Sequence, residues 1–107
     1  MLSRFEVASS DVAEFLDQAR AAVALLVARD GCLSVDLARN LDEPTLWTIT
    51  SRWRNVGSYR RALQGYGAKV AVVPLLSRAV DEPSAYEDHE LVGENQARGA
   101  WPPWSEH

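Results

Sequence analysis

The chain has 107 residues, room for one domain with a modest core, and is 47% hydrophobic and 24% charged, the composition of an ordinary soluble globular protein. A net charge of −4, with Arg60–Arg61 as the only adjacent basic pair, argues against nucleic acid or an anionic membrane as a partner. The single cysteine, Cys32, excludes an intramolecular disulfide and zinc-type spacing, and neither a membrane span nor a secretory signal is visible, so we expect a cytoplasmic protein.

"SRFEV", Ser3 to Val7, alternates polar and apolar residues and predicts a first strand. Ser9, Ser10 or Asp11 can then cap a helix, with Glu14 near its third position. Val12, Phe15, Leu16, Ala19, Val23, Leu26 and Val27 recur at helical spacing to about Arg29, and Gly31 in "RDG" suits a left-handed stop. "LSVDLAR" alternates again from Leu33 to Arg39, and "NLDEP" breaks the run as a turn. A third strand follows from Thr45 to about Trp53, making a hairpin with the second.

Asn55 or Ser58 can cap the next helix, which carries Val56, Tyr59 and Leu63 on one side. Gly65 and Gly67 interrupt it before "AKVAVVPLL", a helical piece limited by Pro74. Ser77 to about Asp81 reads as a short last strand, and Pro83 follows. The order strand, helix, strand, strand, helix, strand predicts an α+β domain, a four-stranded antiparallel sheet with helices on one face. Ser34, Asp36, Thr48, Thr50 and Arg52 fall on the uncovered face, which is free to meet water or a second subunit.

"LWTITSRWRNVGSYRRAL" followed by "VAVVPLLSRAVDEPSAYE" resembles the antibiotic biosynthesis monooxygenase-like family, and "RFEV" and "ARDGCLSVDLARNLDEP" fit the same pattern. The resemblance covers roughly Leu2 to Glu87, so the domain is expected over residues 1–87 with a tail over 88–107. It implies a ferredoxin-like subunit that pairs sheet to sheet with a second copy, a homodimer in the form of a dimeric α/β barrel. It also implies, for some members, oxidation of aromatic polyketides with molecular oxygen and neither metal nor flavin. Other members degrade haem through a histidine in the second helical region and an asparagine on the first strand. This chain has neither, so no cofactor is expected.

On the third strand Trp47, Ile49, Ser51 and Trp53 share one face, and that face lies under the helices if Phe5, Val7, Val35 and Leu37 share it. Ser51 leaves room between larger neighbours for a flat aromatic ligand with Trp47 and Trp53 as walls, or for Leu63 or Val70 as core filling. The nearest matches to the polar residues of the family's anthrone oxidisers are Trp53, Asn55, Tyr59 and Arg78. Each has a structural alternative: core for Trp53, a helix cap for Asn55, a backbone partner for Tyr59, a solvated charge for Arg78. The expected function is therefore a cofactor-independent monooxygenase-like protein acting on an aromatic or polyketide-like molecule, against a non-catalytic dimeric binding or regulatory domain with the same pocket.

A histidine base would assist such chemistry, yet His89 and His107 both fall in the tail. "GAWPPWSEH" brackets Pro102 and Pro103 with Trp101 and Trp104, a pre-extended segment able to dock on the body or on a dimer mate, to bind a partner or to stay unfolded.

Overall fold

The protein is described from a computed structural model over residues 1–91. Three strands, β1 (Leu2–Glu6), β2 (Cys32–Arg39) and β3 (Leu46–Trp53), form an antiparallel sheet in the order β1-β3-β2. Four helices complete it: α1 (Val12–Val27), α2 (Val56–Ala62), α3 (Tyr66–Ala71) and α4 (Val73–Leu76). The architecture is a ferredoxin-like α+β fold with helices on one face of the sheet.

Alternation decides which strand residues are covered. Ser3, Phe5, Trp47, Ile49 and Ser51 are buried on the inner face, with Val35, Leu37 and Trp53 packed beside them. The outer face carries Thr48 and Thr50, opposite Ala38 and Asp36 on β2 and opposite Arg4 and Leu2 on β1. The hairpin loop is tied by Asn40, whose Oδ1 accepts from the N–H groups of Asp42 and Glu43 at 2.8 and 2.7 Å. A bulge between Cys32 and Ser34 adjusts the register at the start of β2.

Helix α1 buries Phe15, Ala19, Ala22 and Leu26, a stripe at the 3.6-residue period. Val27, expected on that stripe, is exposed; it lies about 100° around the helix from the stripe's centre. Asp11 stands at the helix start without a side-chain capping bond, because residues Ser9–Asp11 form a 3-10 turn instead. Gly31 ends the α1 connection at φ +85°, the left-handed conformation expected there, and an added Cβ would collide with the Ser58 side chain.

The strand expected at Ser77–Asp81 does not form, so the sheet has three strands among the described residues rather than four. Ser77, Arg78 and Ala79 donate their N–H groups back to Val73, Leu75 and Leu76, which extends the helical turn. The chain then runs along the free edge of β1, where Val80 N–H donates to Arg4 C=O and Leu2 N–H to Ser84 C=O, both at 2.7 Å. Residue 4 faces 80 but residue 2 faces 84, so the ladder slips by two residues. Pro83, lacking an N–H, sits inside the slip.

Candidate functional site

The inner face of the sheet has two unlike ends. At one, Phe15 lies between Phe5 and Trp47, with ring centroids 5.2 and 5.5 Å apart, and Arg39 covers Trp47 at 5.0 Å. These tilted contacts fill the space completely enough that Phe15 is 0% exposed. At the other end the buried residues are small and hydroxylated: Ser3, Ser51 and Ser58.

That second end collects an aromatic pair. The Trp53 indole N–H donates to Ser51 Oγ at 2.8 Å, which fixes the ring over the strand. Across from it stands Tyr59 of α2, ring centroids 6.1 Å apart and planes at 56°. Tyr59 is placed by its helix, whose start is capped by Asn55: its Oδ1 accepts the Ser58 N–H at 2.8 Å. Burial pushes the Tyr59 phenol above its ordinary range, while a hydrogen bond with Ser84 and the Arg60 charge pull weakly the other way. A neutral tyrosine hydroxyl results, able to donate a hydrogen bond throughout the physiological range.

Ser84 links this pair to a neighbouring cavity of about 290 Å³ between β1, α4 and the residues that follow α4. Leu2, Ser3, Leu76, Ser77, Ala79, Val80, Asp81, Glu82 and Ser84 line it. The walls combine apolar side chains, serine hydroxyls and the carboxylates of Asp81 and Glu82, which suits a neutral molecule with carbonyl or hydroxyl groups better than an anion. Among the described residues no group of three or more His, Cys, Asp or Glu side chains is arranged to hold a metal ion.

Four of the seven residues singled out in the sequence are gathered here: Ser51 and Trp53 on β3, Tyr59 on α2 and Asn55 at that helix's cap. Ile49 lies further along the strand and is 1% exposed within the core. Trp47 is six residues from Trp53, about 20 Å along an extended strand, so the two mark opposite ends of the face rather than one gap. The Trp47 indole nitrogen is buried and has no hydrogen-bond partner among the described residues. Arg78 turns to α1, where it hydrogen-bonds Gln18 and lies 3.6 Å from Glu14. Leu63 packs against the core, and Val70 faces outward. His89 is exposed, and His107, Trp101 and Trp104 lie outside the described residues.

A family model described as antibiotic biosynthesis monooxygenase matches residues 1–72. The chain belongs to the antibiotic biosynthesis monooxygenase family. Solved structures agree on the fold. SnoaB of Streptomyces nogalater, a cofactor-independent oxygenase, is 22% identical, with a TM-score of 0.64 over 82% of this chain and 92% of its own. A conserved protein from Methanosarcina mazei Go1 is 21% identical, with a TM-score of 0.66 over 78% of this chain and 82% of its own. No curated protein matches the chain.

The family match covers β1 to α3 and stops before the segment that carries Ser84. Of the residues missed in the sequence, Ser3 was within reach: the alternation of "SRFEV" puts it on the same face as Phe5 and Val7. Ser84 was not, because it meets Tyr59 across 25 positions through a segment with no periodic signal.

Proposed function

We propose that this member of the antibiotic biosynthesis monooxygenase family is a cofactor-independent monooxygenase for a neutral aromatic or polyketide-like molecule. The observation that supports it most is the Trp53–Tyr59 pair, joined through Ser84 to a cavity with apolar, serine and carboxylate walls. In such a reaction the substrate supplies the electrons. A ring CH₂ conjugated with a carbonyl loses a proton to give an enolate, and the enolate reduces O₂ and captures it as a hydroperoxide at that carbon. Loss of water leaves a new carbonyl, so one oxygen atom enters the product and the other leaves as water.

In this reading Trp53 is the flat wall on which the rings stack, and Tyr59, kept neutral, donates to the developing enolate oxygen. Ser51 holds the indole in place, and Asn55 sets the start of the helix that carries Tyr59. Arg78 is engaged by Gln18 and Glu14 of α1 and would reach substrate only by leaving them; Trp47 and Ile49 shape the core end of the face. The domain is taken as residues 1–87, with 88–107 as an appendage.

The working unit is proposed as a homodimer joined through the outer sheet face. Its centre, Leu46, Thr48 and Thr50, is half-buried and uncharged, and Arg52 and Asp36 flank it, as a sheet-on-sheet contact requires. The free Cys32 thiol suits a reducing compartment, the cytoplasm.

The test is oxygen uptake by purified, chelator-treated protein with a panel of anthrones and hydroquinones. Protein-dependent uptake that falls in Trp53→Ala and Tyr59→Phe, with folding intact, supports the reading; uptake indifferent to both changes rejects this site. A second reading, a non-catalytic binding domain, is favoured by one observation: the described histidine, His89, is 91% exposed and cannot serve as base at Tyr59. Saturable quenching of Trp53 fluorescence without oxygen uptake would establish that second reading.

A further inference from the structure

The end of α1 meets the start of α3 in an open groove of about 370 Å³ that shares no lining residue with the Trp53–Tyr59 site. Leu25, Ala28, Arg29, Gly65, Tyr66 and Gly67 line it. Tyr66 is 83% exposed, and Leu25 and Ala28 add apolar surface. The two glycines are there for different reasons. Gly65 has φ +90°, a left-handed backbone that favours glycine. Gly67 lies within α3 and has no such angle, in a position where glycine only weakens the helix. A Cβ at Gly67 would instead meet the groove's own walls, Leu25 Cδ1 at 3.0 Å and Arg29 Nη2 at 3.9 Å.

Arg29 is the charged residue of that lining, and its bonding is incomplete. Its Nη2 donates to the Gln64 C=O at 3.2 Å, while its Nε is buried with no hydrogen-bond partner among the described residues. Arg4, Arg54 and Arg78 each meet a carboxylate, whereas no ion pair among the described residues includes Arg29. A guanidinium carries five N–H donors, and donors left short of acceptors where water is partly excluded are costly. Because Nε is enclosed, the terminal nitrogens are the edge that Arg29 turns to the groove. Nη2 stands 4.0 and 3.9 Å from where Cβ atoms on Gly65 and Gly67 would be.

A planar carboxylate matches the terminal edge of a guanidinium through two parallel N–H···O bonds. One guanidinium between apolar walls balances a single negative charge, and a phosphate dianion asks for more donors than this lining supplies. Beside that charge Tyr66, Leu25 and Ala28 can receive a flat apolar body. We propose that the groove between α1 and α3 is a binding site for a small aromatic carboxylate. The carboxylate pairs with Arg29, the ring lies against Tyr66 and Leu25, and the missing side chain of Gly67 leaves the room between them. This site is independent of the oxidation proposed at Trp53 and Tyr59, whose substrate is neutral.

The experiment titrates the full ¹⁵N-labelled chain with sodium benzoate at constant ionic strength and follows the amide resonances and the Arg29 Nε–H. The proposal expects saturable shifts at Arg29, Gly65, Tyr66 and Gly67, and binding weaker by about tenfold or more for benzamide, the neutral analogue of the same shape. Arg29→Gln should weaken benzoate by a similar factor. Gly67→Ala, which keeps the guanidinium and favours the helix, should do so by occupying the groove, and it decides the matter if Arg29→Gln fails to fold. Absence of saturable shifts at these residues overturns the proposal, as does a response confined to Trp53 and Tyr59. Equal binding of benzamide, or benzoate affinity unchanged in the folded variants, overturns it too. Inorganic phosphate binding here more tightly than benzoate overturns it and assigns the groove to a different anion.

Discussion

The two ends of the inner sheet face are built on the same three strands, one covered by Phe15 of α1 and the other faced by Tyr59 of α2, yet they are chemically opposite. At the Phe5–Phe15–Trp47 end, aromatic rings meet one another and leave no room. At the Ser51–Trp53–Tyr59 end, serines replace the large side chains, and the two rings face each other with a cavity beside them. A stable core and a candidate binding site thus share one surface. Stability is concentrated at the end where nothing can enter, which frees the other end to keep small residues and hydroxyls that contribute little to packing.

The largest expected effect tests that division directly. Phe15→Ala removes a side chain that is 0% exposed and touches both Phe5 and Trp47, and should cost about 3–5 kcal/mol in urea unfolding. Ser51→Ala, at the open end, removes the acceptor of the Trp53 indole bond and should cost only about 1 kcal/mol. Equal losses would show that the two ends do not differ energetically. Gly31→Ala comes next, at about 2–5 kcal/mol: a left-handed backbone is strained by a Cβ, and that Cβ would press on Ser58 of α2. Because Ser58 is one residue from Tyr59, the surviving folded fraction should also show altered Trp53 fluorescence.

The closed end was legible in the sequence because it is made of periodic, apolar signals: Phe5 on a strand alternation, Phe15 on a helical stripe, Trp47 on another strand. The open end was legible only in part. Trp53, Ser51 and Tyr59 stood out, since strand alternation and the Asn55 cap place them. Which gap they border depends on side-chain reach and not on face. Alternation puts Trp47 and Trp53 on one side of the strand, but it does not say that they stand at opposite ends with Ile49 between. Arg78 illustrates a different limit. Its expected strand gave way to a helical turn, and that turn points it to Gln18 and Glu14.

A smaller effect is expected from Tyr59→Phe, which removes the hydroxyl bonded to Ser84 and should cost about 1 kcal/mol. The pH dependence gives it a signature. Burial raises the folded phenol above its ordinary value, so the unfolded chain ionises first. This contribution is fully present below the ordinary tyrosine value of about 10 and is lost as pH rises through the raised folded value. Tyr59→Phe should therefore show a shallower loss of stability in alkali than the unmodified protein. Identical alkaline profiles would mean that the hydroxyl is not buried, and the open end would lose its neutral donor.

The smallest effect concerns the segment that closes the open end's cavity. Glu82 binds Arg4 through two hydrogen bonds of 2.6 and 2.7 Å, and that pair flanks the bonds from Val80 to Arg4 and from Leu2 to Ser84. The hydrogen bond with Arg4, rather than burial, holds the Glu82 carboxyl below its usual range. The pair's contribution is thus present above the ordinary glutamate value of about 4.3 and fades as pH falls through the lowered folded value. Both partners are substantially exposed, so global stability should hardly move in Glu82→Gln. Local opening is the sensitive quantity. Amide exchange at Val80 and Leu2 should quicken several-fold in Glu82→Gln at neutral pH, and in the unmodified protein under acid, while Ile49 exchanges as before. If Ile49 quickens equally, the segment is part of the core's cooperative unit. If Val80 and Leu2 respond and Ile49 does not, the open end is closed by a piece that can lift without disturbing the aromatic end, and the contrast between the two ends extends from packing to motion.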